Sequence, residues 1–320
     1  MKRRPLILGL ALAFTAGLAA IGLRPRPRAP LTPEAFAALY SKPLAPPAGP
    51  LRVFHLGHSL VGRDMPAMLA QLARPGHRHA SQLGWGASLH QHWQGERAIS
   101  GFAQENAHPA FRPAHAALAS GQYDALVLTE MVEIRDAIRY HDSARFLAHW
   151  ARKARRANPA IRICLYETWH WLDDPEGWLT RLDRDLARYW EAGILRPAMA
   201  QDGVGVIHVI PAGQVLARLV RQIEAAPLPG LARREDLFGR DPQGGQDPIH
   251  LGDLGAYLVA LTHYAVLTHR DPRGLPHQLL RADDTPATAP SPEAAQVMQQ
   301  VVWDVVTSYG ATGIAAPSGG

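Results

Sequence analysis

Residues 53–62 read VFHLGHSLVG. Val53, Phe54 and Leu56 have the apolar, β-favouring character of a strand entering a core. The chain then turns at Gly57-His58-Ser59-Leu60 and runs into MPAMLAQLA (65–73), whose spacing predicts a helix. A serine at a strand-to-helix turn has two readings. It is a helix N-cap, or it is a side chain held up by the strand as a nucleophile. The rest of the chain has to decide between them.

Outward from this turn, β-like runs alternate with helical ones. LRVFHLG (51–57), RHASQLG (78–84), YDALVLTE (123–130), IRICLYET (161–168) and VGVIHVIP (204–211) read as five strands. Helices are expected near 112–120, 142–157, 177–193 and 212–225. The apolar stretch DLGAYLVALTHYAVLTH (253–269) reads as a helix capped by Asp253. SPEAAQVMQQVVWDVV (291–306) reads as another, with Ser291 as cap and Pro292 at its first position. Strands alternating with helices imply a parallel sheet covered on both faces. The expected fold is therefore α/β, a three-layer α/β/α sandwich around a five-stranded, flavodoxin-like parallel sheet. Sites in such folds lie beyond the carboxyl ends of the strands. The Ser59 turn, Thr129-Glu130, Glu167-Thr168-Trp169 and Pro211 would share that rim.

Composition narrows the partners. The 320 residues carry a formal net charge of +5. Six of the 33 basic residues lie within residues 1–30, which hold no acid; the other 27 face 28 acids, so the body is close to neutral. It offers no electrostatic footprint for nucleic acid. MKRR followed by the apolar run 5–23 reads as a secretory signal peptide or a membrane anchor. Export follows, to the periplasm or to the inner membrane facing it. Residues 24–50, rich in proline and alanine, are expected to be a tether, 51–308 the folded domain, and 309–320 a frayed tail. The single cysteine, Cys164, sits in an apolar run and excludes an internal disulfide.

A second constellation lies far from Ser59. In DPIHLGDLGAY (247–257), Asp247 and His250 are three residues apart, with Pro248 stiffening the turn. A serine is a weak nucleophile without a positioned base. A base histidine in turn needs a carboxylate to fix its tautomer and stabilise the imidazolium. Asp247 and His250 can supply both functions.

Together these blocks resemble the SGNH (GDSL-like) serine hydrolase superfamily. Gly57-His58-Ser59-Leu60 stands where that superfamily has Gly-Asp/Asn-Ser-Leu, and Asp247-Pro248-Ile249-His250 matches its Asp-x-x-His block. The segments GASLHQHW, VLTE and YETW look like a bacterial, exported branch of it. The resemblance spans residues 51–269. It implies ester hydrolysis with Ser59, Asp247 and His250 as the catalytic residues, no cofactor and no metal. It also implies an oxyanion hole formed by the N–H groups of Ser59 and Gly86. One block departs. Strand three ends in LVLTEMVE, with no asparagine to serve as the third donor. Thr129 through its hydroxyl, or Glu130 if protonated, are the candidates to replace it. Losing one such donor costs roughly 2.7–4 kcal/mol elsewhere.

The substrate implied is a small-molecule or polysaccharide ester, such as an acetylated carbohydrate. His58, Trp85 and Trp169 are the candidate substrate contacts. Trp93 and Trp171 also lie near strand ends, where a tryptophan is either core or a stacking surface. The same residues would serve an O-acyltransferase, and a non-catalytic glycan-binding protein is the alternative from another class. His77, His79, His90 and His92 lack the carboxylates and spacing of a metal motif. Glu130, Glu133 and Glu167 would be the carboxylates of a glycosidase reading, but nothing in the sequence fixes their separation.

Overall fold

The computed structural model describes residues 28–315. Five strands, β1 (Arg52–His58), β2 (Arg78–Gly84), β3 (Ala125–Leu128), β4 (Arg162–Glu167) and β5 (His208–Pro211), form one sheet in the order β2-β1-β3-β4-β5. All its pairings are parallel. This is the flavodoxin-like order, whose switch point lies between β1 and β3. Ser59 follows β1 directly and therefore sits at that switch point.

Strand periodicity divides the core in two. Val53, Ala125, Val127, Cys164, Tyr166 and Ile210 face one apolar cluster. Phe54, Leu56, Leu126, Leu128, Ile163, Leu165 and Val209 face the other. Successive side chains of a strand point to opposite faces, so a sheet buried on both faces needs both sets apolar.

Among the described residues twelve α-helices accompany the strands: α1 (Pro33–Ala38), α2 (Asp64–Leu72), α3 (Leu89–Gln94), α4 (Phe102–Glu105), α5 (Ala114–Ala119), α6 (Ile134–His141), α7 (Ser143–Ala157), α8 (Trp178–Asp185), α9 (Arg196–Met199), α10 (Ala212–Ala225), α11 (Asp253–Thr268) and α12 (Pro292–Ser308). Helices α2, α10, α11 and α12 cover the first face; α3, α5, α7 and α9 cover the second. Apolar nearly all round, α11 is buried between the sheet and its neighbours.

Several expectations need correction. The 204–211 strand shortens to β5 because the Arg155 guanidinium takes the carbonyls of Val204 and Val206, both at 2.6 Å, out of any ladder. The 177–193 helix is α only as far as Asp185; Leu186–Leu195 is π-helical, and the widening ends before Pro197, which has no N–H to donate. Gly252, not Asp253, precedes α11; the Asp253 carboxylate instead pairs with Arg281. Ser291 does cap α12, accepting from the Ala294 N–H at 3.1 Å.

Two segments expected to be loose are docked. From Leu31 the supposed tether packs on the body: Phe36 is buried, and the Tyr40 hydroxyl donates to the Ile207 carbonyl at 2.6 Å. At the other end, Ala311, Thr312 and Ile314 are buried. Phe36 and Tyr40 supply apolar area that the surrounding proline and alanine do not. The apolar run 5–23 lies outside the described residues. Among the described residues no helix is long and apolar enough to cross a membrane.

Candidate active site

Ser59, His250 and Asp247 come together at the rim. The Ser59 hydroxyl lies 2.9 Å from His250 Nε2, and His250 Nδ1 lies 2.9 Å from Asp247 Oδ2. Asp247 Oδ1 accepts the N–H groups of Ile249 at 2.9 Å and His250 at 2.8 Å, which locks the carboxylate. These bonds hold Asp247 ionised, with its pKa below the ordinary value despite partial burial. With Nδ1–H donated to Asp247, Nε2 is free to accept the serine proton.

The acid and base do not come from a simple turn. They lie on β7 (Gln246–Leu251), which pairs antiparallel with β6 (Phe238–Arg240) in a two-stranded sheet. Two bonds clip this hairpin to the end of β4. Trp169 Nε1–H donates to the Ile249 carbonyl at 2.8 Å, and the Leu172 N–H donates to the Pro248 carbonyl at 2.8 Å. Ser59, His250 and Trp169 line a cavity of about 210 Å³, whose other walls include Val61, Met65, Ala256 and Val259.

The turn that carries Ser59 is held from behind. His58 is fully buried. Its Nε2–H donates to the Glu130 carbonyl at 2.7 Å, and its Nδ1 accepts the Leu60 N–H at 3.3 Å. Burial pushes its pKa down to about 4, so the ring is neutral. His92 does the same one residue earlier: Nε2–H donates to the Gly57 carbonyl at 2.7 Å while Nδ1 accepts from Gln82 at 3.0 Å. His92 was not expected here. The signal was the Ser88–Gln91 capping box, which fixes the start of α3 and so the face on which His92 lies.

Other expected site residues fall elsewhere. His58 lines no pocket, because its ring is enclosed. The Thr129 hydroxyl donates to the Tyr166 carbonyl at 2.7 Å and has no proton left for an oxyanion. Glu130 is buried, and burial raises its pKa to about 7. Its Oε1 accepts from Leu89 N–H at 3.2 Å and Met131 N–H at 2.9 Å, which turns the carboxyl toward α3. Neither residue replaces the missing asparagine. The N–H groups of Ser59 and Gly86 have no acceptor among the described residues. Gly86 sits at φ +55° with open space where a side chain would start.

The remaining candidates separate cleanly. Trp169 is buried at 1% exposure, whereas Trp85 and Trp171 remain 54% and 45% exposed. His90 stacks on Phe146, with ring centroids 4.1 Å apart, whereas His79 lies on β2 and His77 just before it. Glu133 pairs with Arg135 and Arg181, and Glu167 accepts the Gly213 and Gln214 N–H groups at the start of α10. The three glutamates therefore bind three separate sets of partners.

No family model matches the chain, and no curated protein matches it. Solved structures similar to it include these two. One is a DUF4886 family protein from Bacteroides uniformis ATCC 8492, 16% identical, covering 80% of this chain and 94% of that one, with a TM-score of 0.48. The other is a candidate GDSL-like lipase from Parabacteroides merdae ATCC 43184, 14% identical, covering 71% of this chain and 99% of that one, with a TM-score of 0.42.

Proposed function

We propose that this protein is a serine ester hydrolase of the SGNH type, acting through an acyl-enzyme on Ser59. The observation that carries the reading is the line from Ser59 through His250 to Asp247, two contacts of 2.9 Å each. Ser59 Oγ attacks the acyl carbon while His250 Nε2 takes its proton. Asp247 steadies the imidazolium. The tetrahedral oxyanion is met by the Ser59 and Gly86 N–H groups. Collapse breaks the bond to the alcohol, which leaves with the proton from His250. Water then attacks the acyl-enzyme by the same route, releasing the acid and restoring Ser59. An alcohol in place of that water would make the product a new ester, the transferase outcome.

The acyl group is taken to be an acetyl, which the cavity of about 210 Å³ beside Ser59 holds with room to spare. The basic n-region and the apolar run 5–23 support export. A second reading, a binding protein without turnover, is favoured by one observation: the Thr129 hydroxyl is committed elsewhere and the Glu130 side chain is fully enclosed, which leaves the oxyanion its two backbone donors.

Labelling with a fluorophosphonate, read by intact mass, tests the proposal. A single adduct is expected on the wild type and none on Ser59→Ala. Turnover of an acetyl ester should fall by about 10⁴-fold or more in that variant. Undiminished turnover in Ser59→Ala sinks the mechanism, and a folded wild type with no adduct and no turnover selects the binding reading.

A further inference from the structure

Helix α7 carries a charge pattern that the fold does not use. SARFLAHWARKARRA (143–157) holds five cationic residues and no acid, although the body as a whole is close to neutral. One face of the helix, with Phe146, Leu147, Trp150, Ala151 and Ala154, is buried in the core. Away from it, Arg145, His149, Arg152 and Arg156 follow one another at spacings of four, three and four residues, so they stand in a single row. Lys153 flanks the row. His149 lies among the arginines: burial first, then Arg145, Arg152 and Arg156, hold its pKa below the ordinary value. Arg155 is not part of the row, because its guanidinium is spent on the Val204 and Val206 carbonyls.

Like charges three and four residues apart repel one another along a helix. Carboxylates relieve little of that repulsion here. Arg145 reaches Asp142 at 3.7 Å, and among the described residues Arg152, Lys153 and Arg156 form no ion pair. Arg145 and Arg156 are exposed. An anionic surface laid along the row would stabilise it.

The surroundings of the row say which surface that is. Arg28 pairs with Asp202 at 2.8 Å, and the Asp202 carbonyl accepts Arg152 Nε–H at 2.6 Å. Only Arg24-Pro25-Arg26-Pro27 separates Arg28 from Leu23, the end of the apolar run 5–23. A chain of that length reaches about 18 Å at most when fully extended. A membrane-length apolar run is therefore tied close to the basic row, with Arg24 and Arg26 between them.

We propose that α7 docks on an anionic lipid bilayer, with the run 5–23 retained as the anchor and Arg28, Arg145, Arg152, Lys153 and Arg156 against the headgroups. The anchor keeps the body near the bilayer, and the row decides which face lies on it. The face has a consequence for the site at Ser59. Helix α7 covers one side of the sheet, whereas the cavity at Ser59 is walled by Val61, Met65 and Val259 of the apolar cluster on the other side. Helix α7 also leads back from the end of β3 to the start of β4, which puts Arg152 and Arg156 near the amino ends of the strands and Ser59 beyond their carboxyl ends. Docking thus leaves the Ser59 opening clear and facing water. The inference does not depend on Ser59 being a nucleophile.

The test uses the full-length protein in nanodiscs of phosphatidylcholine, alone or with about 30 mol% phosphatidylglycerol. Ala157→Cys places a thiol at the exposed end of α7, and Ala289→Cys places one at an exposed position before α12, on the other side of the sheet. Cys164 is buried and does not compete for a poly(ethylene glycol) maleimide. With phosphatidylglycerol, modification of Ala157→Cys should slow by about fivefold or more, and that of Ala289→Cys should change by less than about twofold. Salt at about 0.5 M should abolish the slowing. Two further changes, each added to Ala157→Cys, remove the row. Arg156→Glu reverses one exposed charge, and Arg145→Gln, Arg152→Gln and Arg156→Gln together neutralise three. Each should bring the rate to within about twofold of that in phosphatidylcholine. Equal rates in the two kinds of disc overturn the inference. So does slowing that persists in both variants with melting unchanged, or protein that stays out of the discs. Protection of Ala157→Cys by dissolved polyglutamate but not by phosphatidylglycerol would assign the row to a soluble acidic polymer and overturn the inference as well.

Discussion

His58 precedes the proposed nucleophile by one residue, and its ring is fully occupied. The Leu60 N–H on one side and the Glu130 carbonyl on the other tie the Ser59 turn to the end of β3. This requires the neutral tautomer with its proton on Nε2, which burial favours. His58→Ala leaves a buried donor and a buried acceptor unpaired, a cost of about 1–3 kcal/mol for each group that stays dry. The turn would also lose its brace, and a small misplacement of Oγ is costly to rate. The expected outcome is a lower melting temperature together with a fall in kcat of about 10²-fold at little-changed KM. Melting curves and steady-state kinetics check this. A variant that melts early but turns over normally would show that the ring only fills space.

At the scale of elements, the site depends on a clip between two sheets. Trp169, just past β4, and the β7 hairpin share the bonds that hold His250 in front of Ser59. Trp169→Phe keeps the packing and removes one donor, leaving the Ile249 carbonyl unpaired. We expect about 1 kcal/mol of lost stability and a fall in kcat of roughly 3–10-fold, because the Leu172–Pro248 bond survives. The rate of fluorophosphonate labelling measures the same effect directly. Labelling at the wild-type rate would mean that the clip does not orient His250. This element also shows what could be read from the chain. VFHLGHSLVG and DPIHLGDLGAYL announced a parallel strand, a nucleophile turn and a base–acid pair, because each is a local pattern with a chemical reason. The clip was not legible: Trp169 was read as a strand-end tryptophan and a candidate substrate contact, and its partner lies 80 residues away. The β6–β7 hairpin escaped because Phe238–Arg240 is too short to show alternation. The helix expected at 142–157 is α7, whereas α6 was not read from the sequence; Asp142, at φ +49°, separates the two. Thr129 and Glu130 failed as oxyanion donors for a similar reason. Their position at the rim was visible, but their acceptors and donors were set by tertiary packing.

The whole molecule stores an unusual number of buried titratable groups, and they oppose one another in their pH dependence. His58, His92 and His263 are buried neutral, with burial pushing each down to about 4 from an ordinary 6.5. His77, His208 and His269 are lowered to about 4 as well. Between those values the unfolded chain binds more protons than the folded one. Their contribution is therefore complete above pH 6.5 and is lost as the pH falls toward 4. Glu130 and Glu167 run the other way, raised by burial from 4.5 to about 7 and about 8. The folded state holds their protons longer, so their contribution is present below pH 4.5 and is lost as the pH rises through 7 to 8. Below pH 6.5 the six histidines outnumber the two glutamates and stability falls with acid; above it only the glutamates titrate, and stability falls with base. The melting temperature should peak near pH 6.5 and decline on both sides. Glu130→Gln keeps the shape of the side chain without its titration, so it should flatten the alkaline decline and leave the acid one in place. Melting curves from pH 5 to pH 9 decide it, covering most of the acid limb and passing the alkaline one by about one unit. A wild type equally stable at pH 6.5 and pH 8, or a Glu130→Gln protein with an undiminished alkaline decline, would show that Glu130 is already ionised in the fold.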